Sequence, residues 1–218
     1  MLKKLYKDSK LDAVKIRALV GLCKVGSSHG GDVSRRVFAE GSSLKLSRQC
    51  RKYLSTSAVF EMKKWSVEGL SYLSLDADVK EELCNDDAAL KALYDMVKMA
   101  KGDMTIAYPT IGCFMNLSNA AEKSDDILPE MEEIARFAKH HVPESHELDK
   151  AEPTKKRIQK LVKHGLISIL SVFTHTDHVL VTEGLREMIA RVMLECCEDK
   201  ENRGVIMAQG GGKTLYFG

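Results

Sequence analysis

An all-α solenoid of short helices is the fold class this sequence predicts, and three observations predict it. Apolar residues recur at helical spacing through most of the chain. Aromatics make up 6% of residues and prolines number 4, too few for the aromatic strands and frequent turns of an all-β sandwich. Similar helical stretches also return with a period in the forties, the sequence mark of stacked helical repeats.

The first element of the repeat comes in four copies. Arg17 to Gly26 reads R-A-L-V-G-L-C-K-V-G, and Trp65 to Ser74 reads W-S-V-E-G-L-S-Y-L-S. Pro109 to Ser118 reads P-T-I-G-C-F-M-N-L-S. Glu187 to Cys196, E-M-I-A-R-V-M-L-E-C, fits least well. Each sets apolar residues at helical spacing around a small residue, Gly or Ala. A small residue inside a helix lets a neighbouring helix approach closely, at some cost in propensity.

The second element also returns. Val37 to Leu44, Leu83 to Leu90, Leu161 to Ile167 and Ile206 to Gly211 each read as the end of a short helix, a Gly or Asp in the turn, and a new apolar helix. Glycine after a helix suits the left-handed position beyond the C-cap. Gly41 and Asp87 lie 46 residues apart, Gly165 and Gly210 lie 45 apart, Leu22 and Leu70 lie 48 apart, and Leu70 and Phe114 lie 44 apart. An all-helical period of this length is that of armadillo and HEAT arrays. The expected architecture is an armadillo-type right-handed superhelical solenoid over residues 1–218, about four repeats, partial at both ends.

One interval breaks the rhythm: Asp87 to Gly165 is 78 residues. The excess lies near residues 119–155. It holds an expected amphipathic helix, Leu128 to His141, with Met131, Ile134, Ala135, Phe137 and Ala138 on one stripe. A polar loop, Val142 to Pro153, follows. Met1 to Lys7 reads as the tail of a helix, and Gly210 to Gly218 as the opening of another. Leu215 to Gly218 is also compatible with an appended tail.

Composition narrows the function classes. Hydrophobic residues at 44% and charged residues at 29% describe a foldable chain. Lys and Arg total 33 against 31 Asp and Glu, a net charge of +2. So even a balance speaks against a dedicated nucleic-acid binder, which needs clustered positive charge. No apolar run reaches the length of a membrane span, and Met1 to Lys7 has no signal-peptide h-region. Cys23, Cys50, Cys84, Cys113, Cys196 and Cys197 form no C-x-x-C pair. They read as reduced core thiols of a cytoplasmic protein.

Longer strings carry a family resemblance. Ile16 to Lys24 (I-R-A-L-V-G-L-C-K), Phe38 to Ser42 (F-A-E-G-S), Gln49 to Lys52 (Q-C-R-K) and Glu68 to Glu81 (E-G-L-S-Y-L-S-L-D-A-D-V-K-E) resemble the UCS-type myosin chaperones. So do Phe137 to Glu144 (F-A-K-H-H-V-P-E) and Arg203 to Gly211 (R-G-V-I-M-A-Q-G-G). The matches run in order through nearly the whole chain. Ser55 to Lys64 and His175 to Glu183 fit the pattern least.

The resemblance implies a co-chaperone whose armadillo solenoid binds the myosin motor domain and helps it fold. It also implies a heat-shock chaperone partner, held by an amino-terminal tetratricopeptide domain that these residues do not contain. This chain resembles the region around the start of the UCS domain. A generic armadillo scaffold with another client is the alternative.

Catalytic chemistry finds little support. Gly210-Gly211-Gly212-Lys213-Thr214 imitates the end of a phosphate-binding loop, but the required earlier glycine is Met207, and Arg203 to Gln209 reads as helix rather than strand. His175 and His178 are spaced to share a helix face, yet no matching Cys pair completes a zinc set. The remaining histidines, His29, His140, His141, His146 and His164, read as surface or helix-end residues. No nucleophile–base pair stands out. No cofactor, metal or catalytic residue is assigned. Of the ten methionines, Met96, Met115, Met188 and Met193 lie in apolar stripes and are assigned to the core.

The candidate site is instead a groove. In armadillo arrays the third helix of each repeat lines the concave face, and an Asn there often holds an extended peptide. Aligned repeats put Lys24, Tyr72 and Asn116 at that position. Val20, Glu68 and Gly112 lie one turn earlier. Trp65 and Tyr108 lie another turn back. The candidate partner-binding residues are therefore Lys24, Trp65, Glu68, Tyr72, Tyr108 and Asn116. Half-burial between repeats is an equal reading for Trp65 and Tyr72. This Lys, Glu, Tyr and Asn mix differs from the repeated Trp and Asn of nuclear-import adaptors.

Overall fold

The structure, a computed structural model, describes residues 1–27, 42–100, 103–119, 146–173 and 181–213. The expected helix Leu128 to His141, most of the Val37 to Leu44 turn, and His29, His140, His141, His175 and His178 lie outside those residues.

Every regular element among the described residues is helical. In chain order they are α1 (Leu2–Asp8), α2 (Asp12–Ser27), α3 (Ser42–Thr56), α4 (Phe60–Leu73), α5 (Ala77–Cys84), α6 (Asp87–Met99) and α7 (Met104–Ser118). A 3-10 turn, Glu147–Asp149, precedes α8 (Ala151–Lys163) and α9 (Leu166–Leu170). A second, Ser171–Phe173, is followed by α10 (Glu183–Glu198) and α11 (Lys200–Ala208).

The helices form two layers. In one, α2, α4, α7 and α10 pack side by side in that order, with α1 against α2. These four helices carry the four aligned stretches, including Glu187 to Cys196. In the other layer, α3 covers α4, α6 covers α7, α8 lies against both α7 and α10, and α11 closes on α10. Neighbours within this second layer also touch: α3 meets α5 and α6, α8 meets α5, and α9 meets α6.

The core is the seam between the layers. Leu19, Leu54, Leu70, Leu93, Phe114, Leu161 and Val192 are buried there. Tyr94 of α6 stacks on Phe114 of α7, with centroids 5.3 Å apart. Its hydroxyl donates to the Leu161 carbonyl of α8 at 3.2 Å. A buried phenol satisfied in this way joins three helices without an orphaned polar atom.

Glycines sit where helices come closest. A Cβ at Gly69 would meet Cys50 Sγ at 3.0 Å and Leu19 Cδ2 at 3.3 Å. The turn glycines behave as their positions predict: Gly165 between α8 and α9 has φ 94°, and Gly210 after α11 has φ 89°.

Two local expectations change. The stretch 147–153, read as loop, is a 3-10 turn followed by the start of α8. Pro153 lies in the first turn of α8, where a missing N–H costs no intrahelical bond. The helix carrying Pro109 begins earlier, at Met104, because Asp103 caps it by accepting from the Thr105 N–H at 2.9 Å.

Candidate binding surface on the helix ladder

The row α2, α4, α7 and α10 presents one face that α3, α6, α8 and α11 do not cover. Trp65, Tyr72 and Tyr108 are half-buried on it, with their inner sides packed against the core. Close helix approach keeps the face continuous. A Cβ at Gly112 of α7 would lie 3.8 Å from Ser71 Cβ of α4 and 3.7 Å from Met188 Cε of α10.

Each step of the ladder carries polar ties. Between α2 and α4, Lys24 Nζ lies 2.6 Å from Glu68 Oε1. That hydrogen bond holds the Lys24 ammonium above its ordinary pKa, and Tyr72 lies near enough to act on it as well. At the same step the Arg17 guanidinium carbon sits 3.6 Å from the centroid of the Trp65 ring. Between α4 and α7, Asn116 Nδ2 donates to the Ser71 carbonyl and to Ser74 Oγ, each at 2.9 Å. Between α7 and α10, the Tyr108 and Thr182 hydroxyls share a hydrogen bond. Thr182 also caps α10 by accepting from the Leu185 N–H at 3.3 Å.

The six sequence-derived residues therefore fall on one row. Lys24, Glu68 and Tyr72 are brought together at the α2–α4 step, beside the covered ring of Trp65. Asn116 and Tyr108 serve the next two steps. The Asn116 amide nitrogen is engaged inside the fold, which changes what an armadillo-type Asn can offer a peptide here. Val20 is buried.

Three residues on this face were not identified from the sequence. Arg17 lies seven positions before Lys24, close to two helical turns, so the repeat alignment contained the signal. Met115 and Met188, assigned to the core, are only half-buried, whereas Met96 and Met193 are 1% exposed. Their stripes are apolar on both sides of the ladder, and helix phase alone could not separate the two faces.

The other chemistries find a physical answer. Burial pushes the thiols of Cys23, Cys113 and Cys196 up to about 12 and that of Cys84 to about 11, so none is a ready thiolate. Among the described residues no group of three or more His, Cys, Asp or Glu could hold a metal ion. The glycine run at Gly210 follows helix α11 and is not preceded by a strand. His146 caps the 3-10 turn by accepting from the Leu148 N–H at 3.2 Å. No helix among the described residues is long and apolar enough to cross a membrane.

No protein-family model matches the chain. Protein unc-45 homolog B of Xenopus laevis is 46% identical over 216 residues, 99% of this chain and 23% of the relative. Among solved structures, UNC-45 from Drosophila melanogaster superposes with a TM-score of 0.76 at 42% identity, over 98% of this chain and 26% of that one. The myosin chaperone UNC-45 from C. elegans, solved with an Hsp90 peptide, gives a TM-score of 0.71 at 36% identity, over 98% and 20%. The chain spans about a quarter of the length of the curated relatives it matches. Two layers of short helices, a period in the forties and identity along nearly the whole chain agree: the chain is an armadillo-type solenoid similar, from end to end, to one segment of the UNC-45 proteins.

Proposed function

We propose that this chain is part of a myosin-directed co-chaperone and that it binds the motor domain of myosin, without catalysis, through the exposed face of the α2–α4–α7–α10 ladder. The observation that carries the reading is the alignment of Trp65, Tyr72 and Tyr108, with Lys24, Glu68 and Asn116, along one row of helices in a relative of myosin chaperones. Aromatic anchors with a polar rim are the usual energetic core of a protein interface.

The segment counts as about four repeats, one ladder helix to each. The heat-shock chaperone contact belongs to a part of the protein outside this chain. Six free thiols, five of them buried, suit a reducing compartment, and the cytoplasm is the proposed location.

The test is capture of a myosin motor domain by this chain, beside Trp65→Ala and Tyr72→Ala variants whose helicity is verified by circular dichroism. An interface anchor of this kind costs about 2 kcal/mol or more when truncated, so each variant is expected to bind roughly thirtyfold more weakly. Absence of binding by the unmutated chain overturns the reading for this surface.

A further inference from the structure

The α2–α4 step holds two cations in different electrostatic states. Lys24 is neutralised by Glu68 at 2.6 Å. Arg17, exposed on the same face, has its guanidinium carbon over the ring of Trp65, 3.6 Å from the centroid. Among the described residues no carboxylate lies within ion-pair distance of Arg17, although other arginines do pair, such as Arg51 with Asp86 at 3.0 Å and Arg191 with Glu187 at 2.8 Å.

A guanidinium stacked on an indole is held by its face, which leaves its N–H edge directed outward. Much of the side-chain entropy that an exposed arginine loses on forming an ion pair is therefore already lost before a partner arrives. The ring face that a basic side chain of a partner would use is already taken by this chain's own cation. Two turns further along the same helices lie the Tyr72 ring and the Lys24–Glu68 pair, whose charges balance, so that pair sets no net charge against a bound anion.

Resting on the ladder face being a binding surface, we infer that Arg17 on Trp65 is a preorganised receptor for an aspartate or glutamate side chain of the bound polypeptide, with the apolar residues beside that carboxylate packing toward Tyr72. The partner segment is thus acidic at one position and apolar next to it, and basic segments are disfavoured at this step.

The test needs no myosin. A random displayed-peptide library is panned on the chain and on Arg17→Met, an exposed substitution that keeps the stem over the ring. The best peptide and its Asn or Gln counterpart are then titrated against the emission of Trp65, the single tryptophan. The expected result is selection of Asp- or Glu-containing peptides by the unmutated chain. The amide counterpart should bind about tenfold more weakly there, as for one lost charge-assisted hydrogen bond, and show no difference on Arg17→Met. Arg17→Lys, which keeps the charge without the planar fork, should fall between. Peptides with no carboxylate preference, no enriched peptide at all, or the same acidic peptides bound equally by Arg17→Met would overturn the inference. Acidic selection without motor-domain capture leaves this site standing and removes the myosin reading; capture that Arg17→Met leaves unchanged, without acidic selection, does the reverse.

Discussion

Arg157 is 2% exposed, yet it carries a full charge where α5, α7 and α8 meet. Its Nε donates to the Leu117 carbonyl at 3.2 Å, one terminal nitrogen donates to Leu148 O at 2.5 Å, and the other to Thr154 Oγ1 at 2.9 Å. Asp149 lies 3.4 Å away and receives Lys80 at 2.8 Å. A buried ion is tolerable only when so completely satisfied. Arg157→Ala leaves two carbonyls unpaired and Asp149 with one cation, and is expected to destabilise the chain by about 3–5 kcal/mol. Urea unfolding followed by circular dichroism checks this; a loss under about 1 kcal/mol, the scale of a surface ion pair, would show that the network relaxes. A sequence signal for Arg157 existed. Thr154, Arg157, Ile158, Leu161 and Val162 are the buried face of α8 at i, i+3, i+4, i+7 and i+8 spacing. Read within A-E-P-T-K-K-R-I-Q-K, it passes for one more solvated charge.

At the scale of single elements, caps and turns decide where each helix begins and ends. Asp76, Asp86, Asp103 and Asp199 each accept a backbone N–H from the first turn of the helix they open. These ends are legible locally, because the acceptor lies within three residues of its donor. Gly165 is the sharpest case. At φ 94° it makes the turn between α8 and α9. A Cβ there would meet nothing within 4 Å, so Gly165→Ala should cost only the left-handed backbone penalty, about 1–2 kcal/mol. A thermal melt checks this, and Gly204→Ala, inside α11 and equally open, should be neutral or stabilising. Pro109 shows the converse. It sits inside α7, and the Thr105 carbonyl that would accept its missing N–H belongs to an exposed residue that water can reach. Tertiary packing of Ile106, Ile111 and Phe114 outweighs that local break.

Across the whole molecule, ionic ties cross the second layer. Glu82 bonds Arg48 and Arg51, Asp87 lies 3.0 Å from Lys160, and Asp199 lies 3.4 Å from Lys155. Hydrogen bonding to Arg48 holds the Glu82 carboxyl below its ordinary pKa. Lys160 does the same for Asp87, and the Glu201 N–H does so for Asp199. A depressed carboxyl stabilises the fold above its unfolded value and loses that contribution as pH falls through the folded one. The melting temperature should therefore hold from neutral pH to about 5 and fall below about 4.5, with a shallower fall in Glu82→Gln. A profile unchanged in Glu82→Gln would remove this tie from the ledger of acid sensitivity. Glu195 runs oppositely: burial raises it, so Glu195→Gln should raise the melting temperature at neutral pH.

The helical class, the period in the forties, the turn glycines and the likeness to UCS-type chaperones were all legible before any coordinates, because each is written in residues close along the chain or in their recurrence. Repeat alignment also put Lys24, Tyr72 and Asn116 at one position, Glu68 a turn earlier, and Trp65 and Tyr108 a turn before that. Only the tertiary structure decided what those side chains face: that Asn116 is tied to Ser71 and Ser74, that Arg17 covers Trp65, that Met115 and Met188 lie on the open side of the ladder, and that Arg157 is buried. These depend on helix phase and on partners 40 or more positions away, such as Leu117 for Arg157 and Ser74 for Asn116. A hydrophobic stripe fixes the phase of a helix only to within about a residue, and it does not say which charge on the stripe's edge will find a partner across the next helix.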